Sequence, residues 1–168
     1  ISLAKRTSRE NGTDRFAALN SDLNDLKGKV DFGCNTLVTC NPPYKAPNAG
    51  LKNPDGVFAA ARHEVACTLR DIISVSARLL QTSGRLCMCQ RPERLAEITD
   101  LMREFKLEPK RLRLVCKRVG KEPWLVLIEG RKCANTGLRI EPTLYVYENG
   151  EYSPEMIGIY GSYKEAYL

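Results

Sequence analysis

The 168-residue chain reads as an α/β protein, a largely parallel sheet with helices on both faces. Two observations predict this class. Short apolar or alternating runs recur at 37–40, 85–89, 111–114 and 124–128, each bounded by turn residues. Between the first two runs, and again after the second, apolar residues fall at steps of three and four, the spacing of an amphipathic helix. Strands that alternate with helices need crossovers, and crossovers cover a sheet on its faces.

Residues 1–11 read as the end of a helix, stopped by Asn11-Gly12. Arg15 to Asn20 is a short strand candidate, with Asp22 just past its end. Leu37 to Cys40 is the next strand, followed by the corner Asn41-Pro42-Pro43-Tyr44. Residues 45–61 form a loop rich in Pro, Asn and Gly. His63-Glu64 opens a helix whose stripe is Val65, Leu69, Ile72, Ile73, Ser76 and Leu80, and Ser83-Gly84 stops it.

Arg85 to Cys89 is a strand, and Pro92 suits the first position of a helix that buries Leu95, Ile98, Leu101, Met102 and Phe105. Arg111-Leu112-Arg113-Leu114 alternates as a half-exposed strand does, and Trp124 to Ile128 is a continuous apolar strand. From Leu144 to Tyr152, alternation around Asn149-Gly150 signals a hairpin.

Composition narrows the possibilities. Hydrophobic residues make up 43% and charged residues 27%, ordinary for a globular chain with one core. No apolar run reaches the roughly 20 residues that span a bilayer. The first residues carry no signal-peptide pattern, and the chain opens on Ile1 rather than Met. Seven cysteines without a CxxC pair point to a reducing cytoplasm, and Cys40, Cys87 and Cys89 read as buried free thiols in strands. With one His in the chain, a metal site is not expected.

The net charge of +6 is uneven: residues 106–132 hold nine Lys or Arg against three acids, while 133–168 are net acidic. Such a basic middle fits a polyanion partner or a solvated strand edge.

The corner at residues 41–44 carries the chemistry. Two consecutive prolines end the strand, remove two backbone donors and fix φ at both positions. Carbonyl oxygens around them are left without a ladder partner, and an Asn amide and a Tyr ring stand on either side. Such a set suits a planar base with an exocyclic amine, since it offers two acceptors for the N–H bonds and one ring for stacking.

With these residues the chain resembles the bacterial tRNA (valine) N6-adenine methyltransferases, a group of Asn-Pro-Pro-Tyr-containing class I enzymes dependent on S-adenosylmethionine. The likeness runs through Ala61-Arg62-His63-Glu64, Gly84-Arg85-Leu86, Arg91-Pro92-Glu93-Arg94-Leu95, Pro109-Lys110-Arg111-Leu112-Arg113, Val126-Leu127-Ile128-Glu129 and Ile159-Tyr160-Gly161. It implies a Rossmann-like sheet binding its cofactor at the carboxyl ends of the strands. It also implies methyl transfer to the N6 amine of adenine in tRNA.

Residue by residue, the resemblance gives Asn41, Pro42, Pro43 and Tyr44 the catalytic corner, and Asp22, Leu23 and Asn41 the cofactor. Substrate contacts fall to Tyr44, Lys45, Arg62 and His63. The chain would be one partial domain, with 1–105 carrying the cofactor and corner portion and 106–168 the C-terminal strands and tyrosine-rich hairpin and tail. The family's Gly-rich turn has no counterpart here, because Gly12, Gly28 and Gly33 stand singly. An incomplete copy lacking the first two strands is therefore expected.

Two other classes compete. A non-catalytic RNA-binding fragment would use the basic segment and the six tyrosines between 145 and 167. A thiol enzyme would use His63 and Cys67, four apart on one helix face, although no orienting third group accompanies them.

Overall fold

A capping box starts the main crossover helix. Thr68 accepts the Asp71 N–H at 3.2 Å, and the Asp71 carboxylate returns a bond to the Thr68 N–H at 2.9 Å. Helix α2 then runs Leu69–Leu79, and its apolar stripe buries Leu69, Ile72, Ile73 and Val75. The Thr68 hydrogen bonds also hold the Asp71 carboxyl below the usual carboxylate range. The structure is a computed structural model that describes residues 2–12, 16–42, 44 and 67–161.

The chain forms two compact units, Ile1–Val30 and Asp31–Leu168. In the first, helix α1 (Ser2–Glu10) stops as expected: Gly12 takes φ +62°, and its N–H bonds the Arg9 carbonyl at 3.1 Å. The strand expected from Arg15 to Asn20 does not form over its described residues, 16–20. Residues 16–20 are irregular, and Phe16 and Leu19 remain about half exposed. A strand needs a ladder partner for its backbone groups. Among the described residues of this unit, pairing is limited to an isolated bridge between Lys27 and Val30.

The second unit holds the sheet. Its strands are β1 (Asn35–Cys40), β2 (Leu80–Gln90), β3 (Leu107–Cys116), β4 (Pro123–Lys132), β5 (Arg139–Ile140) and β6 (Leu144–Tyr145). The order is β1-β2-β4-β3, with β5 and β6 both paired to β3. The sheet is mixed rather than largely parallel. β1 runs parallel to β2, and β5 and β6 run parallel to β3, but β4 is antiparallel to both its neighbours.

Helix α3 (Leu95–Glu104) follows a 3-10 turn at Pro92–Arg94. It packs with α2 over the sheet, burying Ile98, Leu101 and Met102 against Leu80, Leu86, Met88, Val126 and Ile128. Full burial of a side chain of this size contributes about 1.5–3 kcal/mol, so this layer dominates the stability of the unit.

Alternation along the strands turns Leu125, Leu127 and Val115 to the opposite face. There a second cluster joins Val115 and Leu144 to Met156 of helix α4 (Pro154–Tyr160), with Trp124, Leu125 and Tyr152 beside it. Arg113, on that same face, grips Glu155 of α4 through two bonds of 2.6 and 2.7 Å and holds its carboxyl below the usual range. Helices thus cover both faces, α2 and α3 one and α4 one end of the other.

Two boundaries differ from expectation. The described crossover helix is capped at Thr68, while His63, Glu64 and Val65 lie outside the described residues, as does the loop expected at 45–61. At its other end the helix yields to β2 at Leu80, which is fully buried in extended backbone. Ser83-Gly84, read as the helix stop, instead lies within β2 where the register against β1 shifts. A Cβ on Gly84 would come within 2.9 Å of the carbonyl oxygens of Asn35 and Gln81. Glycine is what lets the two strands approach there.

The hairpin forms around Asn149-Gly150, both at positive φ, pairing β7 (Tyr147–Glu148) with β8 (Glu151–Tyr152). It is shorter than expected because Leu144 and Tyr145 pair in parallel with Val115 and Cys116. No helix among the described residues is long and apolar enough to cross a membrane.

Gly84→Ala should lower unfolding stability by about 1–3 kcal/mol in a urea titration, because backbone rather than a movable side chain meets the new methyl. Thr68→Ala should cost about 1 kcal/mol in the same titration, and Thr68→Ser should restore most of it.

Candidate active site

The site is built where β1 and β2 end side by side. Because these strands are parallel, their carboxyl ends coincide, and the register pairs Cys40 with Met88. Pro42, buried, ends the ladder and leaves Asn41 exposed at the strand terminus. Strand alternation sends Leu86 and Met88 into the helix-covered core and Cys87 and Cys89 to the other face. Cys89 therefore stands beside Asn41.

The contacts are specific. The Cys89 thiol donates to Asn41 Oδ1 at 3.1 Å, and the Tyr44 hydroxyl lies 3.9 Å from Cys89 Sγ. Partial burial pushes the Tyr44 phenol pKa up, with the Cys89 thiol adding to the effect and the Asn41 amide and Arg91 opposing it. Arg91 lies over the Tyr44 ring, 5.8 Å from its centroid, within the range of a cation–π contact. Its guanidinium is anchored by a 2.9 Å bond to the Trp124 carbonyl, and its backbone N–H bonds Gln90 Oε1, also at 2.9 Å. The aromatic ring is thus held at both its edge and its face.

From Asn41 an open groove of about 530 Å³ extends across the sheet face, past Cys87, Cys89, Leu127, Arg111 and Glu129. Glu129 is the charged centre of its floor. Its side chain is 12% exposed and sits 4.0 Å from Arg85 and 3.7 Å from Arg111. Burial and then the Glu129 carboxylate push the Cys87 thiol pKa up. Cys40 is pushed up as well, by burial and by its neighbours Cys67 and Cys89. Cys40, Cys87 and Cys89 are half-buried groove residues rather than the fully buried thiols expected.

Of the expected site residues, Asn41, Pro42 and Tyr44 come together as described. Pro43, Lys45, Arg62 and His63 lie outside the described residues, so the pairing of His63 with Cys67 does too. Asp22 and Leu23 belong to the first unit. Asp22 is exposed and accepts the Asn24 N–H at 2.8 Å in a local turn, and Leu23 is half-buried.

Sequence reasoning missed Cys89 and Arg91 as parts of this site. For Cys89 the available signal was its two-residue spacing from Cys87, which puts both on one strand face. Arg91 carried no such signal.

Much of the basic segment is engaged within the chain. Arg111 lies near Glu129 and Glu141, and Arg113 binds Glu155 and the Pro142 carbonyl. Lys110, Arg131 and Lys132 donate to the carbonyls of Asn135, Ser83 and Leu80. The C-terminal tyrosines also turn to one another, Tyr147 stacked on Tyr152 at 5.3 Å and Tyr152 tilted against Tyr160 at 5.8 Å. Tyr163 and Tyr167 lie outside the described residues.

Comparison with known proteins places this geometry. No family model matches the chain. Two curated relatives, the tRNA1(Val) (adenine(37)-N6)-methyltransferases of two Porphyromonas gingivalis strains, are each 32% identical over 143 residues. The match takes in 83% of this chain and 54% of each relative, so the chain spans about half their length.

Among solved structures, an Agrobacterium tumefaciens protein predicted to be an O-methyltransferase superposes with a TM-score of 0.71 at 18% identity. The superposition covers 92% of this chain and 69% of that one. Geranyl diphosphate C-methyltransferase of Streptomyces coelicolor A3(2), solved with Mg2+, geranyl diphosphate and S-adenosyl-L-homocysteine, gives 0.52 at 14% identity, over 78% and 59% of the two chains. The mixed sheet with its helices has the Rossmann-like fold of these two structures. By sequence, the chain is similar to these two tRNA1(Val) adenine-N6 methyltransferases over about half of their length, and by fold it is similar to solved methyltransferases.

Proposed function

We propose that this protein transfers a methyl group from S-adenosylmethionine to the exocyclic N6 amine of an adenine in tRNA, the S–CH3 bond breaking as the N–CH3 bond forms, with S-adenosylhomocysteine and one amine proton released. The observation that carries the reading is the carboxyl end of β1. Asn41 is exposed there with its side-chain oxygen held beside a fixed tyrosine ring, in a chain related to enzymes named for this reaction. A tRNA substrate places the work in the cytoplasm.

The residues present fit the reacting end of the cofactor and the target base. When bound, S-adenosylmethionine supplies a sulfonium methyl already activated for transfer. The protein's part is alignment, worth up to about 7–11 kcal/mol in favourable intramolecular cases. The adenine amine is a poor nucleophile because its lone pair is delocalised into the ring. Asn41 Oδ1 and the Pro42 carbonyl accept its two N–H bonds, which draws the nitrogen toward a tetrahedral shape and concentrates the lone pair on one side. A base must leave its stack to be reached, and the Tyr44 ring offers the replacement surface.

In this reading Asn41 also serves the cofactor. Asp22, exposed and accepting the Asn24 N–H, is assigned to the cofactor's adenine amine, with Leu23 next to it in the chain. Pro43 is assigned to the corner, and Lys45, Arg62 and His63 to the RNA.

Asn41→Ala should abolish methyl transfer to tRNA even at saturating S-adenosylmethionine, with cofactor binding still detected in isothermal titration. Full turnover in that variant would remove the mechanism. No binding heat in the unaltered protein would leave an RNA-binding role in its place.

A further inference from the structure

We propose that Cys89 is a positioning residue that holds the Asn41 amide with its oxygen turned to the target. The inference rests on the methyl-transfer reading above, because it assigns a partner to the side chain that reading uses. Asn41 is exposed at a strand terminus, and in a freely turning carboxamide the oxygen and the NH2 group exchange places readily. Only one of the two orientations is useful. With the NH2 group forward, a donor would face the N–H bonds of the adenine amine, and no hydrogen bond could form.

The Cys89 thiol breaks that symmetry. Its S–H donates to Asn41 Oδ1 at 3.1 Å, a contact that the oxygen satisfies better than the NH2 group does. A carboxamide oxygen has two lone pairs, so one stays with the thiol and the second remains for the substrate. The Tyr44 hydroxyl, 3.9 Å from the same sulfur, links the stacking ring to this arrangement. Beside the direct Asn41–Tyr44 contact, one side chain on β2 therefore ties the acceptor to the aromatic surface. Cys89 forms no covalent bond and exchanges no proton in this role.

The contact exists because of strand register. Cys89 lies 48 residues from Asn41 in the chain and reaches it because β1 and β2 end together. Arg91, two residues further on, adds the cation–π contact on the face of Tyr44.

The experiment compares Cys89→Ser, which keeps a donor, with Cys89→Val, which keeps the bulk and removes it. With tRNA as substrate, Cys89→Val should lower kcat about three- to tenfold at unchanged KM, the effect of one hydrogen bond, and Cys89→Ser should stay within about twofold of the unaltered protein. In parallel, the side-chain amide signals of Asn41 in a 1H–15N spectrum, assigned by their loss in Asn41→Asp, should move in Cys89→Val and hold in Cys89→Ser.

Unchanged kcat in Cys89→Val, equal losses in both variants, or Asn41 signals indifferent to the valine would each overturn the proposal. A role in packing alone would spare kcat in the valine variant. The two readings fail separately. Turnover that survives Asn41→Ala sinks the methyl-transfer mechanism, whereas the Asn41 amide signals report on Cys89 in either case.

Discussion

The parallel pairing of β1 with β2 is the constraint on which the rest of the second unit depends. Parallel neighbours cannot be joined by a tight turn, so the chain must cross over, and α2 is the described part of that crossover. The apolar stripe of α2 then has the sheet to bury against, and with α3 it forms the main core. Parallel strands also finish at the same edge. Asn41 after β1 and Cys89 in β2 meet there for that reason, and Asn41 gains a donor from a distant part of the chain.

The two faces of the sheet divide the work. The α2–α3 face is apolar and closed, as shown by the complete burial of Ile73, Leu86, Ile98 and Met102. Among the described residues, the other face is closed at the end where α4 packs, through Met156 and the Arg113–Glu155 pair. Its open part is polar but locally balanced, with Glu129 between Arg85 and Arg111 and Glu141 beside Arg111. Five of the nine basic residues in 106–132 thereby bind partners within the chain. Charge counted along a chain does not distinguish an arginine on a carboxylate from one on solvent.

Elements whose cause is local were legible in the sequence. The stop at Gly12, the turn at Asn149-Gly150 and the buried stripe Ile98, Leu101, Met102 follow from residue conformation and helical period. Elements that depend on a distant partner were not. Phe16 to Asn20 has strand-like composition, yet a strand requires a neighbour. Leu80 continues the helical stripe of α2 by spacing, but the approach of β1 at Asn35 draws it into extended backbone. The antiparallel insertion of β4 between β2 and β3 is a matter of strand order, which no local window contains. Leu144 and Tyr145 left the hairpin for β3 on the same ground.

The amino-acid sequence by itself determined the chemistry of the corner, since Asn41, Pro42 and Tyr44 bring an amide, a rigid acceptor and a ring in four consecutive positions. Backbone rigidity at proline is a covalent property and needs no partner. Tertiary structure alone decided how the amide is turned and what steadies the ring. Those outcomes rest on a thiol and a guanidinium from another strand, brought within hydrogen-bond and cation–π range by sheet register. Register is set by how whole faces pack, so it becomes readable only once the strands are side by side.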